Sequence, residues 1–287
     1  MKSVNIILCT YNSERTIKEC IDSILGQTFK DFDLFIFDDC SQDNTVEKIR
    51  SYVYRDPRIT LVRAKKNIGT YSAKNFIFKN FCKSKYVALH DSDDYSEKNR
   101  LQKQVEYMKL HDVACLGTAV REFWDEDIEP HTISDNQISN NERKNVYPQI
   151  LRKRDSIKEL ASLSTHDFYK ALLQFKFCMN GTVMFKKEVL DEIGGWDGNT
   201  RMGGDTDIFI RILGKYDIHN LQDCLYNRRF HNFSLTSSGE YGMKSDLRKE
   251  YAILRHEVVQ KSASGTPEIR NIYYPRPFEY EVVKCVE

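Results

Sequence analysis

Asp91-Ser92-Asp93 places two carboxylates one residue apart at the end of the strand-like run Lys85–Leu89. Such a pair can hold a hard divalent cation, which takes oxygen ligands and accepts water in its remaining positions. Mg²⁺ or Mn²⁺ bound this way normally binds phosphate oxygens as well, whereas the plain alternative is a solvated turn or helix cap. Asp38-Asp39 ends a second apolar run, Leu34–Phe37. A carboxylate there can accept hydrogen bonds from a nucleobase or a ribose, or it can cap the helix that starts near Asp43. Asp205 and Asp207 stand at a helix start, where the helix dipole favours an ionised carboxylate. Trp196 follows Gly194-Gly195, so its indole could stack on the flat C–H face of a sugar or pack at a turn. His231 lies in a polar stretch beside Arg228 and Arg229, a pair suited to a diphosphate.

The elements that must carry these residues alternate strand and helix through the first ninety positions. Val4–Thr10 is a strand-length apolar run, and Ile17, Cys20, Ile21, Ile24 and Leu25 follow helical spacing behind Asn12 and Ser13. Val46, Ile49 and Val53 define a second helix, Arg58–Ala64 a strand, and Ser72–Phe81 a third helix. Apolar runs separated by helices predict a parallel sheet with right-handed crossovers. Ligands of such sheets bind beyond the carboxyl ends of the strands. Thr10-Tyr11-Asn12, Asp38-Asp39 and Asp91–Asp94 all fall at such ends, so three polar clusters should converge on one edge.

Farther along, Lys98–His111 reads as a helix, Val113–Val120 as a strand and Ile157–Phe175 as a helix. Gly181–Phe185 reads as a short strand, and helical segments at Glu188–Ile193 and Thr206–Leu213 end at glycines. The mostly polar stretch Asp125–Val146 is expected to be an exposed loop and a candidate lid over a site. From Ser237 the chain is helix-like to Gln260, then closes on the strand-like Tyr280–Val286, which could pair with another chain. The basic run Leu151–Arg154 reads first as a solvated helix face, and otherwise as a contact for a membrane or polymer.

Composition narrows the classes. The chain has 287 residues, 43 Lys+Arg against 42 Asp+Glu, and a net charge of +1, which argues against a general grip on nucleic acid. Hydrophobic residues at 40% and aromatic ones at 12% exclude disorder for most of the chain. Its eight cysteines form no C-x-x-C pair, and with no leader-like start they are expected to be reduced thiols in the cytoplasm. Neither G-x-G-x-x-G after the first strand nor a P-loop is present, so a dehydrogenase or P-loop ATPase is not expected.

Five segments taken in order (VNIILCTYN, SILGQTFKDFDLFIFDDCSQDNT, NIGTYSAKN, YVALHDSDDY and GGWDGNTRMGGDTDIFIRI) resemble the motifs of family 2 glycosyltransferases. The resemblance covers roughly residues 2–236. It implies a GT-A fold, an α/β Rossmann-like sandwich with a mostly parallel central sheet. A nucleotide-binding half would span 1–95 and an acceptor-binding half 96–236, followed by a helical and extended tail over 237–287. It further implies metal-dependent, inverting transfer from a UDP-sugar to a saccharide or lipid-linked saccharide, with Mn²⁺ or Mg²⁺ as cofactor.

Residue by residue, Thr10, Tyr11 and Asn12 match the strand end that cradles the nucleotide, with Tyr11 near the uracil. Asp39 matches the carboxylate that reads that ring, and Lys74 falls where the family often places a basic residue. Asp93 matches the metal ligand, with Ser92 between it and Asp91, which matches the group that reaches ribose or metal-bound water. His231 matches a late histidine that completes the metal shell or touches the diphosphate. Asp205 matches the catalytic base, although the family often has Glu-Asp where this chain has Gly204-Asp205, and Asp207 remains its rival. Trp196 and Asp207 are the candidates on the acceptor side. The expected setting is surface polysaccharide synthesis at the inner face of a membrane. The rival readings are a sugar nucleotidyltransferase and a catalytically silent module in a larger assembly.

Overall fold

β1 (Val4–Thr10) buries every residue except Cys9, as a strand covered by helices on both faces must. β2 (Phe32–Asp38) and β4 (Tyr86–Asp91) flank it in parallel, and β3 (Ile59–Ala64) lies beyond β2. The computed structural model describes residues 2–124, 142–151, 153–164, 167–168, 177–231, 246–264 and 278–285. Three helices make the crossovers: α1 (Ile17–Leu25), α2 (Thr45–Val53) and α3 (Thr70–Phe81). α1 buries Ile17, Cys20, Ile21 and Ile24, the helical stripe that the spacing predicts. Strand order runs β3-β2-β1-β4, so the direction of winding reverses between β1 and β4. The crevice at that reversal is bounded by Thr10 and Asp91.

Alternation along β1 divides the core between two layers. Ile6 and Leu8 pack with Ile21, Ile49 and, on α4 (Arg100–His111), Leu101 and Val105. Ile7 faces the other layer, with Ile77 and Phe78 of α3. That layer also takes in Ile193 of α6 (Lys187–Ile193), Ile208 and Leu213 of α7 (Gly204–Leu213), and Val259 of α8 (Asp246–Ala263).

Past β4 the sheet becomes mixed. β9 (Met184–Lys186) runs antiparallel to β4 and to β6 (Cys115–Trp124), and β10 (Ile218–Phe230) runs parallel to β6. β5 (Tyr95–Ser96) and β8 (Ile150–Leu151) are short additions to β10. The expected loop over Asp125–Val146 ends in β7 (Glu142–Asn145), which pairs antiparallel with β6, while residues 125–141 lie outside the described residues. Its four polar residues carry no strand pattern because an edge strand is held by backbone hydrogen bonds and needs no buried face. The expected strand at Gly181–Phe185 is a single 3₁₀ turn, Asn180–Thr182, followed by β9.

The expected helix at Ile157–Phe175 begins earlier, as α5 (Lys153–Ser162), and residues 169–176 lie outside the described residues. Of the tail, residues 237–245 and 265–277 also lie outside them. The final run forms β11 (Tyr280–Lys284), which pairs antiparallel with β3 of its own chain. No helix among the described residues is long and apolar enough to cross a membrane.

Candidate active site

β4 delivers Asp91 to the crevice, and the turn Ser92–Asp94 brings the chain back into β5. Four hydrogen bonds fix this strand end. The buried Arg100 guanidinium donates to the Leu89 carbonyl at 2.7 Å, to the Gly181 carbonyl at 3.0 Å and to Ser96 Oγ at 3.0 Å. The Asp91 amide donates to the Tyr226 hydroxyl at 3.1 Å. Gly181 permits this closeness: a Cβ there would stand 2.3 Å from the Tyr226 hydroxyl oxygen and 2.7 Å from Asp91 Oδ2. Position 181 therefore has space for glycine alone.

Charge accumulates at the turn. Burial, and then the neighbouring Asp93, push the Asp91 carboxyl above its ordinary range, against the pull of Lys74 and Arg228. Asp94 is pushed up further, by burial and then by Asp93 and Asp91, although the Arg229 amide donates to it at 2.8 Å. Three crowded carboxylates, two of them disfavoured as anions, form a site whose charge a cation would relieve.

β10 pairs antiparallel with β5, and this register carries its last residues back across the turn. His231 thereby comes to Asp93, with Nε2 3.0 Å from Oδ2. Two adjacent ligands of an octahedral ion bound at about 2.1 Å stand about 3.0 Å apart, so this pair fits one edge of such a shell. A carboxylate oxygen with an imidazole nitrogen suits Mn²⁺ better than Mg²⁺. Among the described residues no three histidine, cysteine or acidic side chains gather into a protein-only cage. The remaining positions of any bound ion would fall to ligand oxygens and water. The two expected diphosphate cations are both paired with protein: Arg228 donates to the buried Glu122 at 3.2 Å, and Arg229 pairs with Glu19.

On the nucleotide side, Thr10 is buried and Tyr11 stands 49% exposed at the mouth of the crevice. Asn12 adopts φ 50°, and its amide donates to Ser41 Oγ at 2.9 Å, which turns the chain away from β1. Ser92 links this loop to the acidic turn through Ser13, Oγ to Oγ at 2.9 Å. Asp39 accepts the Ile68 amide at 2.7 Å on Oδ1 and the Gly69 amide at 2.8 Å on Oδ2. Each of its oxygens thus already serves the loop before α3, and a nucleobase would share them. Lys74 is buried on α3, with its ammonium 5.5 Å from the centre of the Tyr71 ring and its charge felt by Asp91.

On the acceptor side the candidates separate. Asp205 is half-buried in the first turn of α7, with Oδ1 3.4 Å from the Tyr71 hydroxyl. Its rival Asp207 is 1% exposed and bound by Arg211 through Nε at 3.0 Å and Nη2 at 2.8 Å. A carboxylate held inside by a buried guanidinium has no path to an acceptor. Trp196, expected as a sugar platform, is also 1% exposed, packed edge-on against Phe78 and Phe185. Its indole belongs to the core because Gly194 and Gly195, both at positive φ, turn the chain inward there. Sequence reasoning named Asp94 only as part of the acidic run at 91–94, without a role, and passed over Tyr226, Gly181 and Tyr71.

A sheet that reverses its winding beside a carboxylate turn, with a histidine returning to that turn, is the architecture of the GT-A glycosyltransferases. The family model for glycosyl transferase family 2 matches residues 5–194, and the chain belongs to that family. The O-antigen biosynthesis glycosyltransferase WbnJ of Escherichia coli is 30% identical over 263 residues, covering 86% of this chain and 89% of that protein. Staphylococcus aureus TarS 1–349, solved with UDP-GlcNAc, superposes with a TM-score of 0.62 at 17% identity, over 91% of this chain and 73% of that one. The chain spans 43% of the longer TarS chain. The mannosyltransferase PcManGT of Pyrobaculum calidifontis, in complex with GDP-Man and Mn²⁺, gives 0.57 at 16% identity over 92% and 74%.

Proposed function

We propose that this glycosyltransferase moves a sugar from a UDP-sugar to a saccharide hydroxyl, with inversion, in the building of a surface polysaccharide. The observation that carries the reading is the meeting of Asp93 and His231 at 3.0 Å across 138 residues of sequence. The relative named for O-antigen biosynthesis and the structure solved with UDP-GlcNAc support the substrate class. Asp93 and His231 would hold Mn²⁺ or Mg²⁺. When bound, such an ion supplies Lewis-acid neutralisation of the charge that develops on the departing diphosphate.

The chain's own residues do the rest. Tyr11 offers an exposed ring at the mouth, Thr10 and Asn12 shape the loop beneath it, and Asp39 braces the loop that leads into α3. Lys74 sets a buried positive charge beside Asp91. Asp205 takes the proton from an acceptor hydroxyl as that oxygen bonds to the anomeric carbon and the bond to the diphosphate oxygen breaks. A single displacement of this kind inverts the centre and needs one base, a role worth roughly 10²- to 10⁴-fold in rate. Residues 1–95 would serve the donor and 96–236 the acceptor, with residues from 237 onward supporting both.

The deciding experiment is calorimetric titration of UDP and of UDP-GlcNAc, UDP-GalNAc, UDP-glucose and UDP-galactose, with Mn²⁺ and then with EDTA. Metal-dependent binding of one sugar nucleotide more tightly than UDP is the expected result. Absence of binding by every nucleotide would return the chain to the silent-module reading.

A further inference from the structure

Gly204 has no room for a side chain. A Cβ built there would lie 2.9 Å from three carbons of the Tyr71 ring, Cδ1, Cδ2 and Cε1, so the ring lies flat across the glycine. The preceding residue, Gly203, takes φ 64° as the N-cap of α7 and brings no capping side chain. A helix start of this kind leaves amides unpaired. Here the Tyr71 hydroxyl reaches the helix start from a distant element, 134 positions away in sequence. Its own proton is directed to Asp205 Oδ1, at 3.4 Å. Burial first, and then the Asp205 charge, push the phenol far above its ordinary range, so it stays a donor at every working pH.

We propose that Tyr71 is the positioning residue of the base: it occupies the space Gly204 leaves open, fastens Oδ1 of Asp205 and turns Oδ2 toward the acceptor hydroxyl. The proposal rests on the assignment of Asp205 as base. The groups whose charge reaches this pair are Lys74 and Tyr71 itself from α3, Asp91 from β4, Cys178 before the 3₁₀ turn and Arg255 from α8. Of these, among the described residues, the Tyr71 hydroxyl is the group that donates to the Asp205 carboxylate. Losing that donor leaves Oδ1 unfastened and the carboxylate free to turn from the acceptor.

The test measures UDP release with Mn²⁺ and water as acceptor, from whichever of the four UDP-sugars binds most tightly. Tyr71→Phe should lower kcat about tenfold. Donor KM and affinity should stay the same, since the exchange removes one hydroxyl, the one aimed at Asp205, and keeps the ring. Gly204→Ala, which displaces the ring but keeps the hydroxyl, should give the same loss of kcat, and the double variant should be no worse than either single one. Melting curves show whether each variant is folded. Asp205→Asn separates the two levels of the reading. If Asp205→Asn is inactive while Tyr71→Phe keeps its kcat, Tyr71 serves packing alone and the proposal is overturned. If Asp205→Asn still turns over, the base assignment falls and takes the proposal with it.

Discussion

Nε2 of His231 stands 3.0 Å from Oδ2 of Asp93, and the contact exists because β10 runs antiparallel to β5 and returns its end over the acidic turn. Neither residue alone makes a cation site. Together they present one oxygen and one nitrogen at the separation that a shared ion requires.

Loss of either donor should therefore weaken donor binding only when metal is present. Asp93→Ala and His231→Ala are each expected to lower UDP affinity in Mn²⁺ by tenfold or more, about 1.4 kcal/mol. In EDTA the variants and the parent should bind alike. Titrations run side by side in the two buffers give the comparison, and equal losses in both would remove the metal role.

Asp205→Asn keeps the shape of the side chain but not its basicity. Turnover is expected to fall about 10²- to 10⁴-fold with donor affinity intact, measured by UDP release and by calorimetry. Asp207→Asn should behave differently. It strips the buried Arg211 of its carboxylate, and removing one partner of such a pair costs about 3–5 kcal/mol, so the first symptom should be a lower melting temperature.

Trp196→Ala should likewise be a stability variant. Truncating a core aromatic costs about 3–5 kcal/mol. Variant protein that remains folded at low temperature is expected to keep its acceptor dependence, which a change in acceptor KM would contradict.

His90 gives the fold a sensitivity to acid. Burial and then Arg100 hold its pKa down at about 3, against an ordinary 6.5. Its Nδ1 lies 2.8 Å from the Asp91 carbonyl and its Nε2 2.9 Å from Ser96 Oγ, which already receives Arg100. A neutral ring with its proton on Nδ1 satisfies both contacts, whereas a second proton would face a hydroxyl already taken as acceptor. A histidine with a depressed folded pKa contributes stability above its unfolded value, and that contribution is lost as pH falls from 6.5 toward 3. The raised carboxyls of Asp38, Asp39 and Asp94 act with the opposite sign, gaining stability as they protonate. The difference between parent and His90→Gln isolates the histidine. The parent's advantage in melting temperature should shrink steadily from pH 7 to pH 4.5, and a constant difference would exclude the linkage.

The half of the molecule that surrounds the switch in strand order could be read before any coordinates because each of its strands is a continuous apolar run ended by polar residues. Leu34–Phe37 followed by Asp38-Asp39 is the clearest case. β10 escaped notice for the opposite reason. Its register slips twice, between Leu221 and Cys224 and between Cys224 and Tyr226, so neither a two-residue period nor an apolar run survives. Trp196 was open to two readings because a glycine pair before an indole looks the same whether the ring ends in solvent or in the core. Tyr71 could not have been found from local pattern at all. Its role depends on space left by a residue on another element, and on a carboxylate 134 positions away.

The pairing of β11 with β3 also sets a schedule for synthesis. Arg50, on the helix before β3, meets Glu281 of β11 across 231 residues. Translation at about 5–20 residues per second leaves the edge of β3 uncovered for about 10–50 s after it is made. During that interval a nascent chain offers unpaired backbone to any neighbouring strand, other nascent chains included. Slower synthesis at low temperature lengthens the exposure, and a chaperone that shields strand edges shortens its consequences. Soluble yield should therefore respond to changes in β11 more strongly than its small size suggests.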